Sequence, residues 1–193
     1  MIRIEGAIRP LARINAALLG AGRAIGILAV AVMVAVTILQ VVCRYLLGSA
    51  LAWPDEAARF CMLWMTGLMA PTALRRGGFV AIDVLPALLP ATLGRVLNLV
   101  LLALSLVVLV VALRIGIAEV TGIGGRFASA SLYLPTGGDG WYRVPRSWMM
   151  ASLPVGLALM IPVVAELMLR DLAALAGAPL PPIAGEGGLR GVD

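Results

Sequence analysis

The residues best able to do chemistry crowd into one short stretch: Arg44, Trp53, Pro54, Asp55, Glu56 and Arg59. Three uses fit such a set. Asp55 and Glu56 could act as an acid/base pair, but such work favours a histidine or a shaped site beside it. The chain has no histidine, which also removes the commonest metal ligand. It has no lysine either, so Schiff-base chemistry is absent. Two uses remain open. Pro54 suits the first turn of a helix, and two acids just after it suit that helix's positive end. Asp55 and Arg59 are spaced i,i+4, so an ion pair can form. The same charges at a membrane edge could instead dock another chain, with Arg44, Trp53, Glu56 and Arg59 as the contact residues.

What must position this cluster is plain from the rest of the chain. Of 193 residues, 62% are hydrophobic, and the mean hydropathy is +1.04. A soluble domain has no interior large enough for that apolar surface. Four apolar runs stand out: 24–43, 60–74, 96–113 and 147–169. A hydrocarbon core about 30 Å thick needs about 20 helical residues. The second run reaches that length if its helix starts near Pro54. The expected fold is an all-α integral membrane protein, with four transmembrane helices and an N-terminal interfacial amphipathic helix.

Polar groups in mid-span are few and uncharged: Thr37, Gln40, Thr66, Asn98, Ser105 and Ser152. Carriers mark their substrate paths with intramembrane ionisable residues. None lies near the middle of these runs, so the chain looks poorly equipped to transport anything alone.

Residues 2–19 read as the interfacial helix, with Ile4, Ile8, Leu11, Ile14 and Leu18 opposite Glu5, Arg9 and Arg13. Pro10 would kink this helix or restart it. The expected divisions are an interfacial segment over 1–22, a four-helix domain over 23–170, and a disordered cytoplasmic tail over 171–193. The tail is rich in Ala, Gly and Pro. Ala50-Leu51-Ala52 has the form of a signal-cleavage site, but the preceding run is too long for a signal core, and the helix is expected to be retained. Cys43 and Cys61 read as packing residues rather than a disulfide.

All 15 basic residues are arginines, and the net charge of +5 is spread over the span ends. Scattered arginines of this kind anchor and orient helices, and the chain is not expected to bind nucleic acid. Nine arginines fall with the N-terminus, the second loop and the tail. Six fall on the other side. Both termini are therefore expected in the cytoplasm, with membrane lipids as partners. Trp53, Trp141, Trp148, Tyr45, Tyr133 and Tyr142 would sit toward the outer face. The loop over 75–95 is apolar on one side, and Asp83 is placed to cap a short helix there. The loop over 115–146 carries glycine clusters at 122–125 and 137–140, which mark turns.

The segments Gln40–Tyr45, Trp53–Arg59, Trp64–Gly67 and Arg75–Asp83, with Val144-Pro145, Trp148 and Leu153–Gly156, resemble the small membrane subunit of tripartite ATP-independent periplasmic (TRAP) transporters. The resemblance covers about residues 24–170. It rests on an Arg-aromatic pair ending the first helix and a Trp-x-x-Glu-x-x-Arg start to the second. A glycine within that helix and a basic turn leading to Asp83 follow. Phe79 departs from it, standing where a histidine is usual, and 137–143 looks like an insertion. The resemblance implies a non-catalytic scaffold without cofactor in the bacterial inner membrane. Its partners would be a large membrane subunit and a periplasmic substrate-binding protein in ion-coupled uptake of an organic acid. It marks Arg44, Trp53, Glu56, Arg59 and Asp83 as subunit-docking residues. A structural subunit of another membrane complex, or a small homo-oligomeric carrier, are the other functions that the residues allow.

Overall fold

A computed structural model describes residues 2–49, 51, 53–76, 90–122, 128–136 and 140–177. Helix α1 (Ile2–Tyr45) is followed by α2 (Pro54–Arg75) and α3 (Ala91–Thr121). A hairpin of β1 (Ala128–Thr136) and β2 (Gly140–Pro145) comes next, then the short α4 (Arg146–Met150) and α5 (Ser152–Leu175). Asp83 and Phe79 lie outside the described residues, as do 178–193 of the expected tail.

The helices lie side by side. α1 packs on α2, α2 on α5, and α5 on α3. The N-terminal part of α1 also reaches α5. The flanking helices α1 and α3 leave long apolar faces uncovered, with Ile38 58% and Leu104 61% exposed. In water such faces would be very costly, and in hydrocarbon they are at home. Three helical stretches are long and apolar enough to cross a membrane: Ile8–Tyr45, Thr92–Thr121 and Arg146–Leu175. The expected fourth span, α2, has 22 residues and therefore the length. It falls short in composition because Asp55, Glu56, Arg59 and Arg75 all lie within it.

Two features add to these expectations. First, α1 runs without a break across the expected boundary near residue 22. α1 is a single helix of 44 residues with Pro10 inside it, about 66 Å long at 1.5 Å per residue. The stretch Leu11–Arg23 is mostly good helix formers, and its two glycines, Gly20 and Gly22, keep negative φ and carry the helix through rather than ending it. Arg23 marks a change of polarity, not of backbone. The helix ends only at Tyr45, after which Gly48, with a φ of 62°, turns the chain and Ser49 N–H donates to the Cys43 carbonyl at 3.1 Å. Second, the third connection is not all loop. β1 and β2 pair antiparallel, with Tyr133 opposite Arg143 and Thr136 opposite Gly140. The expected insertion at 137–143 thus spans the hairpin turn, of which 137–139 lie outside the described residues, and most of β2.

Mid-helix hydroxyls are satisfied locally. Thr37, Thr66 and Ser105 each donate to the carbonyl four residues earlier, at 2.8–2.9 Å. Such back-bonding removes the cost of a hydroxyl in hydrocarbon without a second helix. Cys43 and Cys61 are free thiols.

Candidate functional site

The central contact is between α2 and α5, and small residues make it possible. A Cβ on Gly67 would collide with the Ser152 carbonyl oxygen, and one on Gly156 would lie 2.5 Å from the Gly67 carbonyl oxygen. The two backbones therefore touch, as small residues allow inside membranes. Near this crossing Trp64 Nε1 donates to the Trp148 carbonyl at 3.1 Å, tying α2 to α4.

Toward one end of the bundle this crossing brings Arg75 of α2 against α5, and α1 closes over both. The result is a buried ionic cluster centred on Glu166, which is 1% exposed. Glu166 Oε1 accepts from Arg75 Nη2 at 3.0 Å, and from Arg170 Nε and Nη2 at 3.1 and 2.9 Å. Its Oε2 accepts from Asn15 Nδ2 at 2.8 Å. Asn15 Nδ2 also donates to the Pro162 carbonyl at 3.1 Å, and Arg75 Nη2 to the Ala12 carbonyl at 3.2 Å. One carboxylate thus gathers three helices. A buried charge is tolerable only when paired and hydrogen-bonded, and here both carboxylate oxygens are used. A second polar tie lies farther along the same end. Asn98 of α3 donates to Asp171 of α5, and Arg95 Nη1 to the Ala174 carbonyl at 3.0 Å.

The residues expected to form the functional cluster lie at the opposite end. Arg44 ends α1, and Trp53, Glu56 and Arg59 stand at the start of α2. Arg44, Trp53 and Arg59 are exposed, and Glu56 is half-buried. Asp55 and Arg59 form no ion pair with each other. Pro54 is buried at the first turn and the two acids follow it, as the helix-start reading requires. Asp83 lies outside the described residues, so its relation to the others is open.

Sequence reasoning passed over the Glu166 cluster. Arg75 reads as a loop charge, Arg170 as a tail charge, and Asn15 as part of a surface helix. One signal was present: Glu166 and Arg170 are spaced i,i+4 at the end of an apolar run. Among the described residues no group of acids and thiols could hold a metal ion. The arrangement can brace helices, and its charges are spent on one another.

Two comparisons bear on this architecture. The family model described as "Tripartite ATP-independent periplasmic transporters, DctQ component" matches residues 33–174, well over half of the chain. No curated protein matches it.

Proposed function

The chain belongs to the DctQ component family of the tripartite ATP-independent periplasmic transporters, and from that premise we propose that it is the non-catalytic scaffold of such a transporter. It holds a large membrane subunit in the bacterial inner membrane. That subunit moves an organic acid, coupled to an ion and delivered by a periplasmic binding protein. The observation that carries this reading is the family match from Met33 to Ala174, which takes in all of α2 and α3 and all of α5 but its last residue. Two features support it. Among the described residues, the buried acid Glu166 is engaged by Arg75 and Arg170 in a cluster that braces helices. The outer faces of α1 from Ile25 to Val42 and of α3 from Val96 to Val111 are apolar and offer area to a partner helix or to lipid.

In this reading α2 is the fourth span, both termini are cytoplasmic, and Arg44, Trp53, Glu56, Arg59 and Asp83 face the large subunit. The decisive experiment is reconstitution. The chain alone in liposomes should show no counterflow of any organic acid, and uptake should appear only with its large subunit and binding protein. Transport by the chain alone would overturn the proposal. The same complex tests the docking residues. Glu56→Ala and Arg59→Ala should insert normally yet weaken copurification or abolish uptake, and the double change should cost less than the sum. If both single variants copurify and transport like the parent, the cluster is only a helix start.

A further inference from the structure

Three arginines on the N-terminal half of α1 are left over by everything described so far. Arg9, Arg13 and Arg23 are exposed, and none has an ion-pair partner among the described residues. At 100° per residue they fall within about 80° of one another, beside the buried face that carries Ile8, Asn15 and Leu19. Arg9 and Arg13 are like charges one turn apart, an arrangement that weakens a helix unless an anion lies between or above them.

Gly20 lies on the same stripe, between Arg13 and Arg23. It sits in the interior of a long helix, where glycine costs stability relative to alanine. The neighbouring glycines have a use within the chain. A Cβ on Gly22 would press on the Leu68 carbonyl oxygen at 3.3 Å, and one on Gly26 on the Met69 side chain. A Cβ on Gly20 would meet nothing within 4 Å. The missing side chain therefore opens a floor between two guanidinium groups toward the outside of the molecule. Farther round the helix, past exposed Ala24, come exposed Leu18, Ile25 and Leu28, which are 44%, 53% and 63% exposed. An occupant must then be anionic over Arg13 and Arg23 and apolar over Ile25 and Leu28. An acidic protein segment meets the first condition and not the second.

We propose that Arg13, Gly20 and Arg23 seat the headgroup of an anionic phospholipid, whose acyl chains run over Ala24 onto Ile25 and Leu28. Ala24 opens the apolar run, so the seat is at the edge of the hydrocarbon, in the leaflet on the side of the chain's termini. The phosphate lies over Gly20, where its oxygens accept from Arg23, whose side chain leans back one turn toward it, while Arg13, two turns nearer the N-terminus, adds its positive charge to the field over the headgroup. The seat needs no other subunit. Its failure would leave the transporter reading untouched, and the reverse also holds.

The test uses the full chain purified in mild detergent, with phosphatidylglycerol and phosphatidylcholine offered in equal amounts and retained lipid read by native mass spectrometry. The parent should retain phosphatidylglycerol in preference. Arg13→Gln and Arg23→Gln should each lower that preference about fivefold. Gly20→Leu should lower it as well, with every charge in place, by filling the floor. Because Gly20 faces open space, this variant should keep the parent's helical content and melt no lower than the parent. Equal retention of the two lipids, or parent-like preference in all three variants, would overturn the proposal. So would displacement of phosphatidylglycerol by millimolar inorganic phosphate, which would mark a seat for a free anion. Variants that keep the lipid but lose the large subunit would make the stripe a protein contact, and the proposal would again fail.

Discussion

Glu166 is surrounded by donors from three helices, and its side chain has no route to water. That burial sets the scale of what its removal costs. An exposed ion pair contributes about 0–1 kcal/mol, whereas removing one member of a buried pair costs about 3–5 kcal/mol, because the other charge is left stranded. Glu166→Ala strands two arginines and should fall in the upper range. Glu166→Gln keeps an acceptor for Arg75 but loses the charge, and should cost less. Arg75→Ala together with Glu166→Ala should cost less than the sum of the two. Chemical unfolding of the detergent-solubilised chain measures all of these. A cost for Glu166→Ala below about 1 kcal/mol would mean that the cluster opens to water. Sequence alone could show the pairing of Glu166 with Arg170, since both lie on one helix. It could not show Arg75, because nothing in the order of residues fixes how far α2 slides along α5. That register is set by the contact of Gly67 with Gly156, a packing fact.

At the level of elements, the apolar runs were legible because composition alone fixes them: α1, α2 and α3 each cover one, and α4 with α5 covers the fourth. Connections and ends were less so. An amphipathic pattern over 2–19 suits a helix lying on a membrane equally well as one continuing a span. Ala12 and Asn15 are tied to α2 and α5, a packing fact that the pattern cannot reveal. The hairpin was hidden for another reason. Its strands are bordered by glycine clusters that mark turns and say nothing of pairing. The glycine of α2 was legible as a feature and not as a contact. Gly67→Ala forces a Cβ onto a backbone oxygen that no rotamer change can move, so α2 and α5 must separate. Overpacking of this kind costs about 1–3 kcal/mol, and Trp64 should lose its hydrogen bond to the Trp148 carbonyl. Gly20→Ala meets open space and should raise helix stability by up to about 1 kcal/mol. Melting temperature and tryptophan emission of the two variants separate the cases. Equal behaviour would mean that the α2–α5 crossing is looser than the structure has it.

For the whole molecule the question is how many times the chain crosses. α2 runs antiparallel to α1, with Gly22 at Leu68 and Ala12 at Arg75, and parallel to α5, with Gly67 at Ser152 and Arg75 at Glu166. Arg95 and Asn98 of α3 meet Ala174 and Asp171 at the same end as Asn15 meets Glu166. The N-terminal half of α1 and the C-terminal end of α5 therefore lie at one end of the bundle. A bilayer that α1 and α5 both cross must also be crossed by α2, whatever its composition, because α2 is packed between them. The Glu166 cluster explains how α2 tolerates this: Arg75 is neutralised by a neighbour rather than by water. The proposed topology therefore has an even number of crossings, and the arginine bias of nine to six is the ground for proposing that both ends are cytoplasmic. Alkaline phosphatase fused after Asp193 should be inactive, and a fusion after Gly48, beyond the first crossing, should be active. With only three crossings the first fusion would be active, and α2 would have to leave its place between α1 and α5. An inactive fusion at Gly48 with an active one at Asp193 would instead reverse the first helix, against its four flanking arginines.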